Sequence, residues 1–192
     1  REAVVGPFQD FFQRNGLATG ALILAFVGCF RLTDITMGVM ANPFYLDMGY
    51  TLEQIAFVAK GFGVLMTIIG AMLGGVLVAR YGAARSLILG GVLVILTNLS
   101  FAGLALLGEP LLGGLVLVIS ADNLASGLAG TAFIAYLSGL TSVAYTATQY
   151  ALFSSLFTLP GKLVAGGSGW VVEALGYVGF FLYTSALGLP AL

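Results

Sequence analysis

The 192-residue chain has no histidine and a single cysteine, Cys29, and only seven basic and eight acidic residues, 8% of the whole. Without histidine it lacks the usual near-neutral acid–base group and the commonest metal ligand, so proton chemistry falls to Asp, Glu, Lys or Tyr. One cysteine excludes a disulfide framework and a Cys metal cluster, and Cys29, in an apolar run, is a packing residue. A net charge of −1 leaves no basic surface for nucleic acid. The charged share is about a third of that in soluble domains, which excludes a water-soluble globule.

Enzymatic signatures are also missing. There is no Ser-His-Asp set and no HExxH, and Pro160-Gly161-Lys162 is followed by Leu163 rather than the hydroxyl residue of a phosphate-binding loop. No paired-Asp motif of an intramembrane protease is present, and no repeated ring residue or re-entrant filter suggests a channel. The expectation is a protein that is not an enzyme and carries no cofactor and no metal.

What the chain has is 59% hydrophobic residues, a mean hydropathy of +1.06, and 28 glycines. Glycine is at about twice its usual share, and in membranes small residues let helices approach closely and slide. The pattern predicts an all-α membrane protein. Residues 1–16 form a cytoplasmic or interfacial lead-in with the amphipathic run Pro7-Phe8-Gln9-Asp10-Phe11-Phe12, and residues 17–192 form a six-helix transmembrane bundle. Its expected spans are 17–45, closed by Asn42-Pro43, then 52–79, 86–107, 111–140, 149–172 with a kink at Pro160, and 177–192, too short for a full crossing. The absence of an initial Met and the apolar end give the expectation of a piece of a longer protein, unable to transport alone.

Orientation follows from Arg80 and Arg85, the only basic residues between two long apolar runs, because Lys and Arg accumulate in cytoplasmic loops. With that loop inside, Arg1 and Arg14 also fall inside, and no base falls in an outer loop. Charges within spans are costly, roughly 2.5–3.5 kcal/mol each on insertion scales, so they face a cavity or a partner. Here they are Arg31 and Asp34 on span one, Lys60 on span two, Asp122 on span four and Lys162 on span five. Spans three and six have none. Arg31 and Asp34, one turn apart, can pair locally; Lys60 can snorkel outward; Lys162 and Asp122 have no opposite charge within a turn. Gly63, Thr67, Gly70 and Gly74 share a small, polar face with Lys60, and Ser155, Thr158, Gly166 and Gly169 share one with Lys162.

Several runs carry a family resemblance. Gly75, Arg80, Gly82 and Arg85 resemble the cytoplasmic loop signature of the major facilitator superfamily. Ala79 stands where that signature has an acid, which leaves the family's charge relay without its carboxylate. Arg31-Leu-Thr-Asp34, Ala59-Lys60 with Gly61 and Gly63, Asp122-Asn123-Leu124, Ala147-Thr148-Gln149-Tyr150-Ala151-Leu152 and Gly169-Trp170-Val171-Val172-Glu173 are similar, in order, to segments of the AmpG-type muropeptide permeases.

The resemblance implies the carboxyl-terminal half of a twelve-helix major-facilitator carrier in a bacterial inner membrane. It also implies proton-driven import of N-acetylglucosaminyl-1,6-anhydro-N-acetylmuramyl peptides for cell-wall recycling. The implied partners are the muropeptide, protons, the bilayer and the amino-terminal half. On this reading Arg31, Lys60 and Lys162 attract carboxylates of the substrate. Asn123, Thr148 and Gln149 hydrogen-bond its sugar or amide groups, and Asp34 or Asp122 carries the proton, with Asp122, lacking a cation within a turn, the preferred one. The alternatives are a carrier for another solute (a sugar, a drug or an acyl-CoA) and a non-transporting membrane subunit.

Overall fold

The computed structural model describes residues 2–192, with side chains from residue 5 onward. Arg1, assigned to the cytoplasmic side from the sequence, lies outside the described residues. Backbone in a bilayer must satisfy its own hydrogen bonds, and an apolar chain does so by coiling. The described residues accordingly fold into helices. They are α1 (Glu2–Asn15), α2 (Leu17–Phe30), α3 (Leu32–Asp47), α4 (Leu52–Phe57), a π-helical segment (Val58–Gly63), α5 (Val64–Tyr81), α6 (Ala83–Leu107), α7 (Leu112–Leu140), α8 (Thr146–Gly166) and α9 (Ser168–Leu187), closed by a 3₁₀ turn at Leu189–Ala191.

Five stretches are long and apolar enough to cross a membrane: Leu17–Asp47, Leu52–Tyr81, Ala83–Leu107, Leu112–Leu140 and Ser168–Ala191. Leu65, Ile68, Met72 and Val76 form an exposed apolar ridge on α5. Such a ridge is a liability in water and is solvated by lipid tails. The chain is an all-α, multi-pass membrane protein.

The local chemistry explains the turns. Thr51 and Gln54 form a reciprocal capping box that starts α4, with bonds of 3.2 and 3.0 Å. Gly82 (φ 84°, ψ 160°) joins α5 to α6 with no other loop residue, a conformation in the left-handed half of the map that glycine alone adopts freely. Gly176, inside α9, has nearly the same geometry (φ 67°, ψ 177°) and divides that helix in two.

The boundaries differ from the expected spans in two instructive places. Pro43 does not close span one: α3 runs through it to Asp47, and the interruption falls earlier, at Arg31 (φ −95°, ψ 1°). Pro160, where a kink is expected, sits inside α8, and an unexpected break comes at Gly167, within the expected fifth span. Gly28 lies against Leu156, Gly161 against Ile35 and Gly169 against Met40. Thus α8 and the first part of α9 run alongside α2 and α3 in the same direction. Beyond Gly176 the chain reverses: Tyr177 Oη donates to Asp47 Oδ2 at 2.6 Å, and Thr184 reaches Asn98 of α6.

Without a hydrophobic driving force between helices in lipid, close approach and polar contacts hold the bundle. The tightest seam is α5 on α7. A Cβ at Gly70 would strike Leu124 O, one at Gly127 would strike Thr67 O, and one at Gly74 would stand 2.8 Å from Leu128 O. The face expected to be small and polar is therefore largely a packing seam. Two buried apolar clusters cap the bundle's ends. One, at the end of Asp47, gathers Phe44, Phe101, Phe180 and Phe181, and the other, at the end of Arg14, gathers Phe11, Phe30, Phe133 and Phe153. Between them lies a polar layer.

Candidate functional site

The polar layer is built around the break in span one. Interrupting the helix at Arg31 places a helix N-terminus within an apolar stretch, and Asp34 sits in the first turn of α3. There the orphan N–H groups and the helix dipole favour negative charge, as in the discontinuous helices of many carriers. Arg31 Nη1 stands 3.6 Å from Asp34 Oδ2, the local pair that the spacing suggested. The guanidinium keeps capacity to spare, since Arg31 Nε is buried without a hydrogen-bond partner.

Asp122 comes to the same place from α7. It is less isolated than the sequence suggests, for it accepts a hydrogen bond from Thr97 Oγ1 of α6 at 3.1 Å. Its neighbour Asn123 donates Nδ2 to Ile119 O at 2.8 Å, and its Oδ1 lies 2.9 Å from Thr67 Oγ1 of α5. Asp34, Asp122 and Asn123, with Asn42, Tyr45 and Ser126, line one cavity of about 230 Å³ that Ala59 of the π-helical segment also borders. Arg31 thus supplies one positive charge beside two carboxylates. The site can hydrogen-bond neutral polar groups and can accept a cation or a proton.

Thr97 and Asn98 of α6 are not among the sequence candidates, because span three carries no charge. They tie the layer together: Thr97 holds Asp122, while Asn98, fully buried, accepts from Thr184 Oγ1 at 2.8 Å and donates to Val94 O at 3.0 Å. The available signal was two adjacent polar residues in an otherwise apolar helix, since buried polar side chains need partners.

The remaining candidate residues lie elsewhere. Lys60 is exposed on the π-helical segment, one residue from Ala59, and Lys162 is exposed on α8; neither lines the cavity. The π-helical turn is of a kind found most often at functional sites. Thr148 is exposed at the start of α8. Of the loop residues, Gly75, Arg80 and Arg85 are exposed, with Arg80 lying 5.6 Å over the Tyr81 ring, and Gly82 makes the turn.

Gln149, expected to meet substrate, instead forms the hub of a clasp at the Arg14 end of the bundle and is 2% exposed. Its Nε2 donates to Pro7 O and to Asp10 Oδ2, both at 2.9 Å. Its Oε1 accepts from the Ser142 N–H at 2.7 Å and from Arg14 Nη2 at 3.3 Å. All four valences of the amide are used. Arg14 adds a pair with Asp10 at 3.0 Å and a bond to Leu140 O at 3.1 Å, so α1 is fastened to the turn between α7 and α8. The hydrogen bond from Gln149, joined by Arg14 against the cost of burial, holds the Asp10 carboxyl below the ordinary aspartate range.

Fold and site together define the class: a multi-pass, all-α membrane protein with a carboxylate-bearing cavity inside its bundle. Such helical spans are those of an inner membrane, outer membranes being crossed by closed barrels. Within that class the chain is similar, over nearly all of its own length, to transporters named AmpG and to an anhydromuropeptide permease. It is 38% identical over 189 residues to a Rickettsia conorii protein carrying the transporter name AmpG 4, covering 98% of this chain and 45% of that one. It is 33% identical over 194 residues to the anhydromuropeptide permease of Escherichia coli K12, covering 100% of this chain and 38% of the relative. With AmpG 1 of Rickettsia prowazekii it shares 34% over 185 residues, 95% of this chain and 42% of the other. The chain thus spans somewhat less than half the length of these relatives. No protein-family model matches it.

Proposed function

We propose that the chain is one six-span half of a twelve-helix, proton-driven carrier that imports anhydromuropeptides. Similarity to a permease of that name supports the substrate class. The reading of six traversals is supported by Gly176, which splits the last apolar stretch, and by the run of α8 beside α2 and α3. On this reading spans five and six are residues 146–175 and 177 onward.

The single observation that carries the mechanism is the cavity holding two carboxylates and one neighbouring guanidinium. With Arg31 matched to Asp34, Asp122 is the acid whose charge a proton neutralises when it enters from outside, and whose proton leaves when the cavity opens inward. Asn123, Asn42 and Tyr45 offer hydrogen bonds to sugar hydroxyls and amides. A cavity of about 230 Å³ is below the usual roughly 300–1,000 Å³ of small-ligand sites. It is one wall, and the other half of the carrier closes the site. Lys60 and the exposed stripe of Ser155, Lys162, Gly166 and Gly169 face that second half, where the lysines meet the peptide carboxylates.

The test is uptake of labelled anhydromuropeptide into vesicles bearing the full-length carrier, with and without an inward proton gradient. Gradient-dependent accumulation is expected. Accumulation of other solutes but not of muropeptide would transfer the mechanism to another substrate.

A further inference from the structure

Asp34 borders two cavities. Besides the central one it lines a small inner cavity of about 10 Å³, at the lower limit of the roughly 10–15 Å³ that one water needs. Thr33 and Phe30 of span one, Val94 and Ile95 of α6, Ala129 of α7 and Gly188 beyond α9 make its other walls. Its polar side chains are Asp34 and Thr33. Thr33 is 1% exposed, and its Oγ1 is buried without a hydrogen-bond partner.

Among the described residues only Thr36 Oγ1 and Ser142 Oγ are buried hydroxyls in the same condition, and neither residue lines this cavity. Helical hydroxyls here normally bond back to the carbonyl four residues earlier, as Thr67 does to Gly63 at 2.9 Å, Ser138 to Ile134 at 2.8 Å and Thr158 to Ser154 at 2.7 Å. Four residues before Thr33 is Cys29, on the other side of the break at Arg31. The hydroxyl lies toward Gly188: a Cβ there would stand 3.0 Å from Thr33 Oγ1, and 2.7 and 2.9 Å from Ile95 Cγ1 and Cδ1. A buried hydroxyl without a protein partner is met by water where space allows.

We propose that this inner cavity is a single-water site in which the water bridges Thr33 Oγ1 and the Asp34 carboxylate. The inference rests on the reading of Asp34 and Asp122 as a proton-handling pair, and adds a hydrated side to Asp34 that substrate in the central cavity does not cover. Thr33 is a positioning residue: it orients a water that exchanges hydrogen bonds with Asp34. The charged and titratable groups that face Asp34 are Arg31 on its own span and, in the central cavity, Asp122 of α7 and Tyr45 of α3. The residues that α6 and Gly188 bring to the inner cavity carry no charge.

The experiment uses the full-length carrier, its Thr33→Ser, Thr33→Val and Gly188→Ala variants, a structure at water-resolving resolution, and paired assays of muropeptide exchange and proton-driven accumulation across pH. Expected is density for one water between Thr33 and Asp34, kept in Thr33→Ser and lost in Thr33→Val and Gly188→Ala. The latter two lower accumulation about fivefold, the worth of one hydrogen bond, shift its pH midpoint and leave exchange intact. No water in the unaltered carrier, an unchanged pH profile in Thr33→Val, or equal impairment of Thr33→Ser and Thr33→Val would each overturn the proposal. If the water is present and lost as expected but the unaltered carrier accumulates no muropeptide, the transport reading fails and the water site stands.

Discussion

Two polar clusters sit in this apolar bundle, and they are built on opposite principles. At the Arg14 end of the bundle Asp10, Arg14 and Gln149 satisfy one another and three backbone carbonyls or amides, with every valence of Gln149 engaged. In the middle layer Arg31 Nε and Thr33 Oγ1 are buried without partners, and two carboxylates share one cavity. A fully satisfied polar network fixes geometry, whereas a partly satisfied one has hydrogen bonds left for a ligand, a water or a proton. On the proposed function the clasp is a structural tie, with only the Ser142 hydroxyl left unpaired, and the central layer is the working site; both contain residues that the sequence offered as candidates.

The seam that carries the central layer gives the largest expected effect. Gly70→Val forces side-chain atoms onto Leu124 O and separates α5 from α7, and with it the Thr67–Asn123 contact. Overpacking of this kind costs about 1–3 kcal/mol or more. It is expected to abolish recovery of monodisperse full-length carrier in detergent, and normal recovery would show that the seam is looser than described. Next is Gln149→Leu, which removes four hydrogen bonds from the clasp and leaves buried partners unmet, a loss of about 1–3 kcal/mol. Faster hydrogen exchange in α1, with the ratio of accumulated to exchanged substrate unchanged, is the expected result; a changed ratio would place Gln149 in the coupling machinery.

Thr97→Val is smaller. It removes one bond to Asp122, about 1 kcal/mol, and is expected to lower the transport rate roughly fivefold with little change in thermal midpoint. The least is a pH effect on the clasp. Because the Asp10 carboxyl is held low by Gln149 and Arg14 when α1 is docked, its contribution is fully present above the free aspartate value of about 3.9. It is lost only as pH falls below that value through Asp10's own lower one. Protease protection of α1 should therefore be flat from pH 7 to about 5 and fall only in stronger acid, and a transition near neutrality would contradict the assignment.

How far the sequence discloses this differs between elements. The apolar runs, the Arg80–Arg85 loop and the Gly82 and Gly176 turns are visible because lipid and backbone conformation constrain them locally. The Arg31–Asp34 pair is visible for the same reason, its members being one turn apart. Where the chain breaks is not: Pro43, expected to close span one, lies within continuous helix, and Arg31 and Gly167 carry the breaks. The central layer is half visible. Asp34, Asp122 and Asn123 stand out as polar residues in spans, but Thr97 and Asn98 act through contacts with α7 and α9 that no spacing encodes. Gln149 shows the limit most plainly: a motif resemblance placed it with the substrate, while its partners, Pro7 and Asp10, are far away in sequence and close only in the fold.

The central claim, that Asp122 in the mid-bundle cavity handles the proton, is tested most directly by comparing muropeptide exchange with proton-driven accumulation in the full-length carrier bearing Asp122→Asn. The account predicts that exchange persists while accumulation falls to the level seen without a gradient. Retained accumulation in Asp122→Asn, together with its loss in Asp34→Asn, would contradict it and leave Asp122 as a hydrogen-bonding residue beside Asn123.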